Sequence, residues 1–427
     1  MRNRRFISST MDHRIEKLIQ EAENALREPF AAIDRNEIVR TRQLLDLFRK
    51  HGVSYRHFSP TTGYGYDDIG RDTLEKIYAD LFHTEAALMR PQIASGTAAL
   101  SHTLFGLTKP GEHILSATGT PYDTLLGIIG IGEKAAPGSL REFGVSYSEV
   151  PLKEGQIDVE AVEGAIRPET TLVIAQRSRG YAWRRSLMPE DFEALAEMIH
   201  KRHPGVLLMV DNCYGEFVRE KEPTDFGADL CVGSLIKNPG GGLAPTGGYI
   251  VGLAEAVDRI AFHLTAPGLG RELGSYAASY RPFYQGLFMA PHTVAQALKT
   301  AMLTARVLEN LGMEASPSSR EDRADIIQAI RLGTAERLVS FCQGIQTASP
   351  IDSMALPEPW PMPGYEDPVV MAAGTFVAGA SIELSADGPI RPPYTVYMQG
   401  SLTYAHGRIA LAEALSRMAG KGDFILP

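Results

Sequence analysis

The sequence contains little cysteine, no excess of positive charge and no long apolar segment. The three cysteines in 427 residues, Cys213, Cys231 and Cys342, are too few and too scattered for a disulfide framework or a CxxC zinc site. The net charge of −9 argues against broad binding to nucleic acid or to a membrane surface, because both need a basic face. No run of about 18 apolar residues occurs, and the N-terminus lacks the apolar stretch of a signal peptide. We therefore predict no membrane span and a cytoplasmic location.

Three motifs of common enzyme classes are also missing. GxxxxGK[ST] does not occur, which argues against a P-loop nucleotide hydrolase, and the absence of GxSxG argues against a serine hydrolase of that type. The glycine-rich stretches GIIGIG and GLGRELG do not fit GxGxxG. An oxidoreductase that binds a dinucleotide on an α/β sheet nevertheless stays open as an alternative. The histidines show no metal-ligand spacing, so we predict no metal site.

The pattern that is present alternates short apolar runs with helical segments. The runs are AALMR, HILSA, VSYSEV, TLVIAQ, VLLMV, DLCVGS and GGYIVG. Such alternation predicts a mostly parallel sheet with helices on both faces. After a predicted long helix at about 292–312, the runs VVMAAGTF and YTVYMQ predict strands of a smaller sheet. We therefore predict an α/β protein with a helical arm over 1–65, a large cofactor-binding domain over 66–290 and a small α+β domain over 291–427.

Two polar residues at predicted strand ends form the strongest chemical signal. Asp211 closes the run VLLMV, with Asn212, Cys213 and Tyr214 just beyond it. Lys237 follows DLCVGS and precedes Asn-Pro-Gly-Gly-Gly. Taken singly, the aspartate is more simply interpreted as a residue that forms a turn, and the lysine as a solvated loop residue. Together, on neighbouring strands, they supply what pyridoxal phosphate requires: an amine for a Schiff base and a carboxylate that keeps the pyridine nitrogen protonated.

A phosphate site and a ring-stacking residue complete this set. Ser95, Gly96 and Thr97 open a predicted helix after a strand, and a helix N-terminus is the usual device for holding phosphate. The alternative reading of this segment is an ordinary N-cap. Ser234, three residues before the lysine, is a candidate to donate to the same phosphate. Tyr122, in the segment PYDTL, is a candidate to cover the pyridine face, or else an ordinary loop tyrosine.

These motifs resemble a known family. The order SGTAAL, PYDTL, DNCYGEF and GSLIKNPGGG is similar to fold-type I pyridoxal-phosphate enzymes. With TGYGYDDIGRDTLEKIYADLF and QRSRGYAWRRSL, the sequence resembles the methionine gamma-lyase-like or aluminium-resistance proteins, relatives of the cystathionine beta/gamma-lyases, from about residue 55 onward. The resemblance implies a fold-type I domain that binds pyridoxal 5'-phosphate through these residues: Ser95, Gly96, Thr97, Tyr122, Asp211, Tyr214, Ser234 and Lys237.

The resemblance also implies an oligomer with shared active sites. In the lyases, a tyrosine and an arginine of a neighbouring subunit reach the phosphate. The matching candidates here are Tyr64, Tyr66 and Arg71, although their spacing departs from the Tyr-x-Arg pattern of the lyases. We therefore expect a homodimer or homotetramer that binds a small amino-acid substrate and contacts neither nucleic acid nor a membrane.

Four arginines lie within nine residues after the strand TLVIAQ. Of these, Arg177 and Arg179 are candidates to bind a substrate carboxylate, and Arg391 in the small domain is a third. The alternative is a solvated loop or subunit salt bridges. The lyases carry an Asn-Pro element near this strand end, whereas this chain has Arg-Ser-Arg.

The resemblance implies a β- or γ-elimination that cleaves a carbon–sulfur bond of a methionine- or cystathionine-like substrate. Lys237, Tyr122 and Asp211 are the expected catalytic residues. Other reactions of the same cofactor, by an aminotransferase, aldolase or racemase, stay open because one fold hosts many reactions. A non-catalytic sensor or resistance factor that only binds the cofactor is a further alternative.

Overall fold

The computed structural model describes residues 12–132, 136–362, 367–424 and 426. Residues 1–11 of the predicted N-terminal arm lie outside this range. The helices of the described part are α1 (His13–Ala25), α2 (Arg27–Lys50), α3 (Ile69–Leu81), α4 (Gly96–Leu107), α5 (Asp123–Ile129), α6 (Val159–Ala165), α7 (Glu193–Arg202), α8 (Ala254–Leu264), α9 (Arg281–Asn310), α10 (Ala335–Thr347) and α11 (Tyr404–Gly420).

Two separate sheets organise the chain. The larger sheet has the strand order β1-β7-β6-β5-β4-β2-β3, and its strands are β1 (Ala86–Arg90), β2 (His113–Ser116), β3 (Ser146–Glu149), β4 (Thr170–Gln176), β5 (Leu207–Asp211), β6 (Leu230–Ser234) and β7 (Gly248–Gly252). All neighbours in it are parallel except the two that pair with β7. The predicted mostly parallel sheet is therefore confirmed.

The second sheet is antiparallel throughout. Its order is β10-β11-β12-β9-β8, with β8 (Glu314–Ser316), β9 (Gln328–Arg331), β10 (Val369–Ala372), β11 (Ser385–Pro389) and β12 (Thr395–Gln399). The sequence analysis predicted β10 and β12 but not β8, β9 or β11. The smaller antiparallel sheet of the C-terminal region is nevertheless as expected.

Side chains of the buried strands point alternately to the two faces of the large sheet, and both faces are covered by helices. Leu88, Ile114, Met209 and Ile250 pack on the face with α4 and α8, whereas their neighbours in sequence pack on the face with α3, α7 and α9. Strands buried on both sides need continuous apolar runs, which explains why the sequence signalled them clearly.

One helix connects the two halves of the molecule. The first half of α9 belongs to the hydrophobic cluster of the large sheet, through residues such as Leu287 and Val294. Its second half belongs to the cluster of the small sheet, through residues such as Leu303 and Leu308. The helix spans the predicted domain boundary at residue 290, so the division into domains stays a prediction.

No described helix combines the length and the hydropathy that crossing a membrane demands. All three cysteines are buried free thiols.

Candidate active site

A cavity of about 260 Å³ lies between the ends of the large-sheet strands and the face of the small sheet. Strands β5 and β6 are parallel neighbours, so their last residues, Asp211 and Ser234, reach the same edge. This is the edge at which ligands bind in open α/β sheets. The structure brings eight predicted residues together in the lining of this cavity: Ser95, Gly96, Thr97, Tyr122, Asp211, Tyr214, Ser234 and Lys237.

Asp211 and Lys237 form the charged centre of the cavity. The Asp211 carboxylate accepts a hydrogen bond from the Cys213 backbone N–H at 3.1 Å, which fixes its direction at the strand end. The Lys237 Nζ lies 4.0 Å from the centre of the Tyr214 ring, over its face. Burial raises the pKa of Asp211, and the nearby Lys237 acts in the opposite direction. Both ionisable groups are therefore withdrawn from water at one site.

The N-terminus of α4 forms one end of the cavity. Ser95 caps the helix, since its hydroxyl accepts the Ala98 N–H at 3.0 Å. Gly96 lies against Ser234, and a Cβ added at position 96 would come within 3.0 Å of the serine Cβ. A glycine is needed there because the helix approaches the end of β6 so closely. The result is a helix N-terminus and a hydroxyl that converge on one point.

Tyr122 lines the side of the same cavity. It directly precedes α5, and its backbone N–H donates to the Gln176 side-chain carbonyl at 2.7 Å. Gln176 is the last residue of β4, so the sheet edge itself holds the tyrosine segment in place.

The arginines predicted to bind a substrate carboxylate do not line the cavity. Arg177 is fully buried and donates to the Asn212 side chain at 2.7 Å and to Glu222 at 3.4 Å. Arg179 is also buried, and it donates to the Ser316 hydroxyl at 3.0 Å. The Arg177 guanidinium is thus engaged in a buried ion-pair network, and its role as a substrate ligand stays a prediction.

Arg391 is likewise engaged elsewhere in the structure, and its role as a substrate ligand stays a prediction. Its guanidinium forms a half-exposed ion pair with Asp367 at 3.1 Å and does not line the cavity. Within the described part of the chain, Lys237 is the only lysine or arginine in the cavity lining.

The loop predicted to reach a neighbouring subunit divides into two parts. Tyr64 and Tyr66 are exposed and their rings stack on each other, with 5.5 Å between centroids. Arg71 is buried instead, where it donates to the Gly65 carbonyl at 2.9 Å and to Asp72 at 2.7 Å. Arg71 therefore holds the loop from within its own chain, and its contact with the phosphate site of a neighbouring subunit stays a prediction.

The small sheet contributes a wall that the sequence analysis missed. The residues of this wall that line the cavity lie on β10, β11 and β12 and on the segment between β10 and β11. They are Met371, Ala373, Ser381, Ser385, Asp387, Tyr397 and Gln399. Asp387 lies on β11, where the segment SADGP has little of the β-branched or aromatic character that marks strands. Burial raises the pKa of Asp387 to about 7. Its only sequence signal was an acidic residue in a short polar stretch.

The two sheets, with a lysine at the edge of the larger one, define the fold of the fold-type I pyridoxal-phosphate enzymes. The family model for methionine gamma-lyase matches residues 15–419, and the chain belongs to this family.

Individual relatives agree with this assignment. The protein YnbB of Bacillus subtilis is 52% identical over 380 residues, which cover 89% of this chain and 90% of YnbB. A Listeria monocytogenes structure, provisionally named a cystathionine beta-lyase involved in aluminum resistance, is 48% identical with a TM-score of 0.92, covering 94% of this chain and 99% of that one. A carbon-sulfur lyase involved in aluminum resistance from Clostridium novyi is 46% identical, also with a TM-score of 0.92, and 96% of each chain is covered.

Proposed function

We propose that this chain is a pyridoxal-phosphate-dependent carbon–sulfur lyase acting on a sulfur amino acid such as methionine or cystathionine. The observation that carries the proposal is the single cavity in which Lys237, Asp211 and the N-terminus of α4 meet. Membership of the methionine gamma-lyase family, and the names of the similar structures, support a carbon–sulfur bond as the one that breaks.

Backbone and side-chain groups of the cavity fit both the phosphate and the pyridine ring of the cofactor. The backbone N–H groups of Gly96 and Thr97, at the positive end of the α4 dipole, would hold the phosphate together with the Ser234 hydroxyl. Tyr122 would cover one face of the pyridine, and Asp211 would pair with the ring nitrogen. The close approach of Gly96 to Ser234 supports this assignment, because a side chain at position 96 would fill the space between the donors.

When bound, pyridoxal phosphate supplies an electron sink for negative charge that develops at the substrate Cα. The residues of the chain position and move the protons. The Lys237 Nζ would remove the Cα proton, which requires the neutral amine, and would return a proton later. The Tyr214 ring beneath it restricts the positions that Nζ can occupy. Burial raises the pKa of Asp211, so its ionised form needs a positive charge nearby. A protonated ring nitrogen would supply that charge, and each group would stabilise the charge of the other.

Atoms balance in the resulting elimination. In a β-elimination, the substrate would lose its Cα proton to Lys237, and the bond from sulfur to Cβ would break with its electron pair on sulfur. In a γ-elimination, a Cβ proton would also leave before the bond from sulfur to Cγ breaks, and a proton would return at Cγ. A proton then converts the departing thiolate to a thiol. Addition of one water to the remaining fragment yields the keto acid and ammonia.

We also infer that the working form is a homodimer or homotetramer with shared active sites. Tyr64 and Tyr66 are 69% and 54% exposed in the single chain and stack on each other, so the two rings form one exposed aromatic patch of the kind that marks interaction sites. The buried Arg71 holds this loop in a fixed shape. A neighbouring subunit that receives these two rings is the arrangement we propose.

A spectral titration tests the proposed function. The purified protein with cofactor should show a visible band that sodium borohydride removes, and each active sulfur amino acid should change that band while thiol and ammonia accumulate. The Lys237→Ala variant should release no thiol. Keto-acid formation that needs an added amino-group acceptor would instead identify an aminotransferase, and cofactor binding without turnover of any amino acid would identify a sensor.

A further inference from the structure

One wall of the cavity carries buried polar atoms that make no hydrogen bond with any described residue. Strands β10, β11 and β12 align Met371, Asp387 and Tyr397 in one cross-strand row, and all three face the cavity. Ser385 and Gln399 form the adjacent pair. Four buried atoms of this wall make no hydrogen bond within the described part of the chain: Ser381 Oγ, Ser385 Oγ, Asp387 Oδ1 and Gln399 Oε1.

The wall is acidic, and no lysine or arginine of the described residues belongs to it. Asp387 is only 6% exposed and forms no ion pair with any described lysine, arginine or histidine. The Tyr181 hydroxyl is the hydrogen-bonding neighbour that acts on its carboxylate. The titratable groups that interact with Asp387 are Tyr181, Tyr214, Tyr397 and Cys342, and burial raises the pKa of the last three. The cations of this region act on the tyrosines instead: Lys237 lowers the pKa of Tyr214, and Arg179, Arg391 and Arg331 lower that of Tyr397.

Such an arrangement is costly unless a ligand completes it. A buried acceptor without a partner loses its hydration, and a buried unpaired carboxylate loses much more. An ammonium group has one positive charge and three N–H donors, which matches a carboxylate surrounded by an amide oxygen and two hydroxyls. A carboxylate or an apolar group placed at the same wall would leave these acceptors unpaired.

We propose that Asp387, with Gln399 and Ser385, receives an ammonium group on the sulfur-bearing arm of the substrate. This inference rests on the proposed lyase function, in which the α-amino group of the substrate is committed to the cofactor at Lys237. A second ammonium must then belong to the leaving arm. The preferred substrate class is therefore a thioether whose leaving thiol carries an amine, as in a thioether that joins two amino acids, and the methyl thioether of methionine is disfavoured.

Two substrates of equal size separate the charge from the shape. S-(2-aminoethyl)-L-cysteine and S-propyl-L-cysteine differ only in a terminal ammonium in place of a methyl group; if only γ-elimination occurs, their homocysteine homologues replace them. We expect kcat/KM to favour the amine by about 30-fold or more, the range of a buried charge pair. Asp387→Asn should reduce this ratio to within about threefold of unity by removing the charge while keeping the side-chain shape. Asp367→Asn, a matched change at the surface pair with Arg391, should leave the ratio unchanged.

A binding measurement gives the same answer without turnover. The phosphopyridoxyl conjugates of the two amino acids are titrated calorimetrically into the cofactor-free protein. We expect the aminoethyl conjugate to bind more tightly, and its advantage to shrink as the pH falls below about 7 and Asp387 becomes protonated. If both conjugates bind equally well, or if Asp387→Asn retains the preference, the inference is wrong while the lyase function stands. If neither conjugate binds the wild-type protein, the proposed function itself fails.

Discussion

Glu222 is expected to contribute strongly to folding, although it does not line the cavity. Its carboxylate lies between two buried guanidinium groups, 2.9 Å from Arg40 Nη2 and 3.4 Å from Arg177 Nη1. All three side chains are at most 1% exposed. Glu222 also accepts the Phe217 N–H at 3.1 Å and the Asn212 side-chain N–H at 3.1 Å. One carboxylate thus neutralises two buried cations beside the turn that follows Asp211.

Substitutions at Glu222 and at Arg177 should lower the free energy of unfolding by different amounts. Glu222→Gln leaves Arg40 and Arg177 both buried without the carboxylate that pairs with them, and breaking a buried pair in this way costs about 3–5 kcal/mol. Arg177→Met leaves Arg40 and Glu222 as a one-to-one pair and removes hydrogen bonds to the Asn212 side chain and the Leu187 carbonyl. Unsatisfied acceptors of that kind cost about 1–3 kcal/mol in total. Glu222→Gln should therefore destabilise the protein more than Arg177→Met.

Urea denaturation, extrapolated linearly to water, measures both free energies of unfolding. Asp46→Asn is a suitable control, because Asp46 pairs with Arg49 on the surface with both side chains more than half exposed. That change should cost no more than about 0.5 kcal/mol. A loss below about 1 kcal/mol for Glu222→Gln, or a larger loss for Arg177→Met than for Glu222→Gln, would refute the reasoning. In soluble Arg177→Met, an unchanged KM would also agree with a structural role for this arginine.

Three further variants probe the cavity itself. Asp211→Asn should lower kcat on the order of 100-fold or more and change the free energy of unfolding little. Steady-state assays and urea denaturation measure the two quantities, and near-normal activity would contradict the pairing of Asp211 with the pyridine nitrogen. Ser95→Ala, which deletes the cap on the Ala98 N–H, should cost about 1 kcal/mol in the same melts and weaken cofactor affinity, while unchanged affinity would exclude the α4 N-terminus as the phosphate site. In the folded protein, the pKa of Asp387 is raised to about 7 from an ordinary value near 4. Between these two pH values the unfolded state therefore binds fewer protons than the folded state. The free energy of unfolding should fall as the pH rises through this window, by up to about 1.4 kcal/mol per pH unit. Asp387→Asn should abolish that component, which the difference between wild-type and variant melts from pH 5 to pH 8 measures; identical pH profiles would contradict it.

The parts of the fold that the sequence predicted well are those with strong local signals. The strands of the large sheet are buried on both faces, so they appear as apolar runs, and Asp211 and Ser234 mark their ends directly. Residues at the ends of neighbouring parallel strands meet at one edge, which is why the central cavity could be assembled from the sequence. The predicted helix over 292–312 begins earlier, at Arg281, because α9 continues through Pro291. A proline normally indicates a helix start or break, and buried packing on both sides outweighs that preference here.

The parts that the sequence did not predict depend on contacts between distant segments. Arg177 pairs with Glu222, 45 residues away, and nothing in the local sequence distinguishes a buried ion pair from a substrate ligand. Strand β11 carries Gly388 and Pro389, which disfavour strands, and it forms only because β10 and β12 pair with it on both sides. Asp387 was missed for that reason, although it faces the same cavity as Lys237.

Peptide mapping of the borohydride-reduced protein tests the central claim most directly. The protein is saturated with pyridoxal phosphate, reduced, digested and analysed by mass spectrometry. The account predicts one phosphopyridoxyl group per chain, attached to Lys237 and absent from the Lys237→Ala variant. A modification on another lysine, or no stable modification after saturation and reduction, would contradict it.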